Sequence, residues 1–223
     1  MNVFHTRADM EAQLSRAFVS RYKRKDVVLT GILLARPEDK VTKEQILPNL
    51  RYWHNRSDNY TDFFCAGYVP VEFVSKAEPI GIEIGGLNWG FDEKAFVELV
   101  AGIEDDTGWH YTGGPCLLLL NAYFDGSTAR FDLFRSIRVD MLEALENKTI
   151  QNATQLAEVV FHFAKEMNDD TTDPVWEVSD KFGRRVLKRG VIEALLAALP
   201  AWLSPTAKHG MQFVVHELRP REA

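Results

Sequence analysis

The sequence predicts an α/β fold, a central mixed sheet with helices on both faces, and three observations predict it. Residues 27–35 and 62–69 are two nearly unbroken apolar runs separated by one helix-length segment. Such runs read as strands covered on both faces, and strand–helix–strand spacing makes a parallel pair through a right-handed crossover. Residues 115–124 are the most apolar stretch of the chain, and Asp125 and Gly126 then signal a hairpin returning over 130–139. The segments between strands carry apolar residues at helical spacing behind recognisable caps.

Composition bounds the rest. A chain of 223 residues with 46% hydrophobic and 26% charged residues buries one substantial core and is neither disordered nor fibrous. Lys and Arg number 26 against 32 Asp and Glu, a net charge of -6, so no global field draws the chain to nucleic acid or anionic lipid. Residues 1–9 hold no apolar signal region, and no apolar run is long enough to span a bilayer. The expectation is a cytoplasmic chain without membrane contact.

Taken in order, residues 9–24 place Met10, Leu14, Phe18 and Tyr22 on one stripe of an amphipathic helix, with Arg21, Lys23, Arg24 and Lys25 at its negative pole. The apolar run 27–35 is the first strand. Thr42 with Gln45 resembles a capping box ahead of Ile46, Leu47, Leu50 and Trp53. Pro48 inside that helix predicts either a start at the proline or a kink. Residues 62–69 are the second strand. Between 70 and 90, two short extended stretches, 71–74 and 80–84, read as a small hairpin or an irregular excursion around Gly85 and Gly86. Asp92 caps the next helix, Phe91 and Phe96 staple it, and Phe96, Leu99, Val100 and Ile103 form its buried stripe up to Gly108. After the 115–139 hairpin, Asn152 and Gln155 open a helix burying Leu156, Val159, Val160, Phe163 and Met167. Residues 168–173 and Pro174 mark the one internal boundary. The chain reads as a single domain, with an N-terminal helix (1–25), a core (26–168) and a C-terminal helix and strand (169–223) packed back on it.

The order strand, helix, strand, helix, strand, hairpin, strand, helix resembles the thioredoxin-like fold over about 140 residues. Pro115, after Gly113 and Gly114, stands where that fold commonly carries a cis-proline before its third strand. The resemblance departs where the family keeps its redox motif, because residues 35–42 contain no Cys. Without a low-pKa thiolate at a helix N-terminus, thiol–disulfide exchange has no nucleophile. Residues 52–60 also resemble stretches in uncharacterised small bacterial proteins, which implies no activity.

Cys65 and Cys116 sit in apolar runs without metal-ligand or C-x-x-C spacing, and no metal or cofactor motif is present. A disulfide between them is left open. His54, Arg56 and Asp58 form the richest polar cluster; as a catalytic site they would supply an acid or base, an anion clamp and an orienting carboxylate. The same residues also suit a helix end and turn. Arg36 and Thr42, at the carboxyl end of the first strand, together with Trp109, Tyr111 and Pro115, are candidate ligand-binding residues, with helix amides near Thr42 suited to an anion. Trp109 and Tyr111 read equally as core or as a stacking surface. Lys181, Arg184, Arg185, Lys188 and Arg189 lie on one face of a predicted helix, either solvated or touching RNA or an acidic partner.

The function expected from these residues is a non-redox cytosolic α/β binding module, an accessory or subunit of a larger bacterial assembly, partnered by another protein or its own copies. The alternative is an enzyme or toxin-like effector acting on a nucleotide or other anionic small molecule through Arg36, His54, Arg56 and Asp58.

Overall fold

In the computed structural model, which describes residues 6–22, 25–57, 60–74, 76–167, 173–175, 177–178 and 215–218, the apolar runs become neighbouring strands. Helix α1 (Arg7–Ser20) starts at a capping box between Thr6 and Asp9 and buries Met10, Leu14, Ala17 and Phe18. It ends before the basic run that the sequence places in its last turn. Arg21 is instead the C-cap, and its guanidinium lies 2.6 Å from the buried carboxylate of Asp62.

Strand β1 (Val27–Leu34) is buried along its whole length. A π turn (Thr42–Ile46) and a 3-10 turn (Leu47–Asn49) then lead into α2 (Leu50–Ser57). Pro48 therefore kinks one helical segment rather than starting it. A wide turn followed by a tight one takes up the missing proline N–H, and Asn49 Nδ2 donates to the Gln45 carbonyl at 2.8 Å. The segment is capped by Asp39, not by Thr42: Asp39 Oδ1 accepts from the amides of Val41 (2.8 Å) and Thr42 (3.1 Å).

The predicted second strand divides in two. β2 (Asp62–Cys65) pairs in parallel with β1, Thr30 opposite Asp62 and Leu33 opposite Cys65. The chain turns at Gly67, at φ 76°, and continues as β3 (Tyr68–Pro70) in a separate sheet. A Cβ on Gly67 would lie 2.7 Å from the Phe91 ring and 2.8 Å from Phe96 Cβ, so only glycine fits. β4 (Glu78–Ile84) and β5 (Leu87–Phe91) form a small hairpin around Gly85 and Gly86, both at positive φ; of the two extended stretches that the sequence predicts, 80–84 falls in β4, whereas residues 71–73 form a turn and the strand after Gly86 was not foreseen. The small sheet runs β3-β5-β4.

Helix α3 (Glu93–Thr107) has the predicted Asp92 N-cap and ends on Gly108 in the left-handed region. Phe91 and Phe96 meet at 5.5 Å between ring centroids, as the staple requires. β6 (Cys116–Phe124) and β7 (Ala129–Asp140) form the long hairpin, whose register shifts between Leu120 and Asn121 because residues 133–135 of β7 have no partner in β6. A short helix, α4 (Met141–Glu146), follows, then α5 (Ala153–Glu166) on its Asn152 cap. β8 (Val215–Leu218) pairs with β7, bringing the C-terminal segment back onto the main sheet. The predicted helix around 182–199, with its basic face, lies outside the described residues.

The main sheet is mixed, in the order β2-β1-β6-β7-β8, with β1 antiparallel to β6. Successive strand residues point to opposite faces. Phe63 meets Trp53 of α2 and Phe161 of α5, while Phe64 meets Phe131 of β7. The face bearing Phe131 and Leu133 also carries α1 and α3, joined by the Arg7–Asp106 ion pair at 2.8 Å.

Candidate functional site

A parallel strand pair leaves its carboxyl ends at one edge of the sheet, where crossover loops form ligand crevices. Here that edge holds Ala35 and Arg36 after β1, the Asp39-capped turn, and the start of β6, where Cys116 lies opposite Leu34. Arg36, Trp109, Tyr111 and Pro115 do gather there. The Arg36 guanidinium lies 2.7 Å from Glu93 and 3.4 Å from Glu38, and sits 4.9 Å over the Phe96 ring. Phe96 contacts Tyr111 at 5.6 Å, and Tyr111 contacts Trp109 at 6.1 Å. Arg138 lies 5.4 Å from the Trp109 ring. In the other direction Phe96 meets Phe91, and Phe91 meets Tyr68 at 5.3 Å. One aromatic ridge thus runs from Trp109 to Tyr68 behind this edge.

The ridge is largely interior. Tyr68 is fully buried and donates to the Ala35 carbonyl at 2.9 Å. The Tyr111 hydroxyl is buried with no hydrogen-bond partner among the described residues. Burial is the leading cause that raises both phenols. It also pushes the thiols of Cys65 and Cys116 up to about 12. Both cysteines are free and buried. Neither is a thiolate nucleophile near neutral pH.

Thr42 does not hold the open helix terminus that the sequence predicts. Its amide is taken by Asp39, and its hydroxyl is buried without a partner among the described residues. The anion favoured by that helix end is thus the chain's own carboxylate. Pro115 is buried, and its carbonyl accepts from Met141 N at 3.0 Å. No cis peptide bond occurs among the described residues, so the Gly114–Pro115 bond is trans, unlike the proline common in thioredoxin-like folds.

Among the described residues, an open groove lies beside this ridge. It has a volume of about 410 Å³ and is bounded by Pro37 and Glu38 after β1, Lys43 and Leu47 of the kinked turn, Glu78, Pro79 and Ile80 of β4, and Phe91 of β5. Its apolar side chains are Leu47, Ile80 and Phe91, and its charges are Glu38, Glu78 and Lys43. The sequence did not locate this wall: of the hairpin that builds it, only the extended stretch 80–84 and a flexible turn at Gly85 and Gly86 were read. Glu93, which meets Arg36, was visible only as a first-turn acid of α3.

The second predicted cluster lies elsewhere. His54 and Arg56 stand near the end of α2, just ahead of the amino end of β2, at the opposite edge from Arg36. Arg56 Nη2 lies 3.4 Å from Glu158 Oε2, and the Tyr52 hydroxyl donates to Glu158 Oε1 at 2.6 Å. The Glu158 side chain is 6% exposed. Its charge is the leading cause raising the Arg56 pKa, while burial leads in raising Tyr52. The arrangement ties α2 to α5. Ser57 Oγ donates to the His54 carbonyl at 3.2 Å, and His54 is half-buried. Asp58 lies outside the described residues.

Among the described residues no group of three or more His, Cys, Asp or Glu side chains could hold a metal ion. Among them, no helix is long and apolar enough to cross a membrane. No known protein family, curated protein or solved structure matches the chain.

Proposed function

We propose that the chain is a non-redox α/β binding module, a subunit or accessory of a larger protein assembly, and that its working surface is the groove at the carboxyl end of β1. The groove carries this reading: it is an open space at the edge where such sheets bind ligands, and apolar side chains line it between charged ones. The thiols support the non-redox part, because burial keeps both protonated. A parallel pair joined by a helix, followed by an antiparallel hairpin on the far side of β1, supports a thioredoxin-like order for the sheet. The trans Gly114–Pro115 bond counts against it.

Sedimentation of the chain in extracts of its native cell tests the reading. The chain is expected to travel in a species heavier than its own 25.4 kDa. Ile80→Lys, which puts a charge on the groove wall, is expected to release it as a folded monomer, whereas Cys65→Ala is expected to leave the complex intact. A monomer throughout, or a complex indifferent to Ile80→Lys, would overturn the assignment.

A further inference from the structure

One wall of the groove has backbone to offer as well as side chains. β4 is an edge strand of the small sheet and, among the described residues, pairs with β5 alone. Its register breaks between Pro79 and Ile82, where Gly81 adopts φ 70°. Ile80 and Gly81 consequently have no cross-strand residue opposite them in β5, and Ile80 lines the groove. The outward backbone groups of an edge strand beside a pocket are what an extended peptide uses when it adds to a sheet, and a bulge keeps that pairing short. Main-chain bonds hold the peptide, and pockets select its side chains.

The side chains indicate which peptide. Leu47, Ile80 and Phe91 offer an apolar seat. Two carboxylates, Glu38 and Glu78, stand against one ammonium, Lys43. Glu38 is 63% exposed, and the cation it meets, Arg36, lies closer to Glu93 (2.7 Å) than to Glu38 (3.4 Å). Glu78 is also exposed. The charge left over is negative, and it flanks the apolar seat.

Resting on the binding-module reading, we propose that the groove takes an extended segment of a partner protein, with an apolar side chain against Leu47, Ile80 and Phe91 and a Lys or Arg beside Glu38 and Glu78. The backbone of the segment runs along the edge of β4 beside Ile80, and Gly81, at positive φ, ends the pairing there. Pro79, which has no N–H, limits this pairing to a short stretch and protects the edge from indiscriminate strand addition.

Amide NMR of the full chain tests this with two blocked pentapeptides, Lys-Val-Leu-Val-Lys and Glu-Val-Leu-Val-Glu. The basic peptide is expected to shift the amides of Ile80, Gly81 and Phe91 and to bind about three- to tenfold more tightly than the acidic one. The double variant Glu38→Gln and Glu78→Gln is expected to erase that difference while leaving the rest of the spectrum unchanged. Equal or tighter binding of the acidic peptide would overturn the basic preference. So would shifts at these amides produced only by raising the protein concentration, which would identify a second copy as the occupant. Either result would leave the groove as the binding surface. No response at these amides to either peptide or to concentration would remove both the proposal and the reading beneath it.

Discussion

Cys65 and Cys116 are held as thiols by the sheet that buries them. Their folded values of about 12 lie well above the roughly 8.5 of a free cysteine. Between those limits the unfolded chain gives up thiol protons that the folded chain keeps. Stability therefore falls as pH rises above about 9, by about 1.4 kcal/mol per pH unit for each thiol, and is unaffected by them below about 8. Urea unfolding at about pH 8 and about pH 10 measures this. The Cys65→Ala and Cys116→Ala double variant is expected to lose less stability over that interval than the parent, and equal losses would contradict the assignment. At the same scale, Arg56 and Tyr52 act on a carboxylate that is nearly out of water. Tyr52→Phe is expected to cost about 1 kcal/mol by removing one donor, and Arg56→Ala about 1–3 kcal/mol by leaving Glu158 under-compensated. Thermal unfolding reads both losses, and binding at the groove is expected to survive them. Stability unchanged in Arg56→Ala would free that residue for a functional role.

Within the kinked segment after β1, local rules competed and the geometry chose among them. Thr42 and Gln45 have the spacing of a capping box, yet Asp39 three residues earlier reaches two amides with one oxygen. A single sequence cannot rank the two, because the choice depends on where the turn after β1 releases the backbone. The distinction is measurable. Asp39→Ala is expected to lower stability by about 1 kcal/mol. Thr42→Val, which removes a buried hydroxyl with no partner among the described residues, is expected to be neutral or stabilising. Loss from Thr42→Val with Asp39→Ala silent would restore the capping box. The break between β2 and β3 was hidden for a similar reason. Residues 63–69 are uniformly apolar, and only the fit of Gly67 between Phe91 and Phe96 shows that the chain changes sheets there. Gly67→Ala is expected to cost more than about 1 kcal/mol through positive φ and overlap with the Phe91 ring.

Across the molecule, the sheet was legible because its strands are the most apolar stretches and its long helices carry caps. Asp92, Asn152 and Gly108 act as their positions suggest. The site was only half legible. Arg36 was placed at the carboxyl end of β1 while Trp109 and Tyr111 were read only as a separate stacking or core stretch; Phe96 and Glu93 draw Arg36 inward, Phe96 also meets Tyr111, and an open groove lies beside them against β4. That relation joins Arg36 to Glu93 and Phe96, more than fifty positions away, and leaves no local pattern. The C-terminal segment is another such case. The side chain of Asn121, fully buried where the β6–β7 register shifts, donates to Asp173 at 2.7 Å and accepts from the Val175 amide at 2.9 Å. Asn121→Ala is expected to cost about 1–3 kcal/mol and to speed proteolysis of the C-terminal segment before the core. What the molecule does turns on whether another chain sits at β4. A photo-crosslinking residue placed at exposed Pro79, compared with one at Tyr52 on the α2–α5 face, addresses this in the native cell. Adducts to a second protein from position 79 and none from position 52 are the predicted result; adducts from position 52 alone, or from neither, would contradict the assignment of the groove.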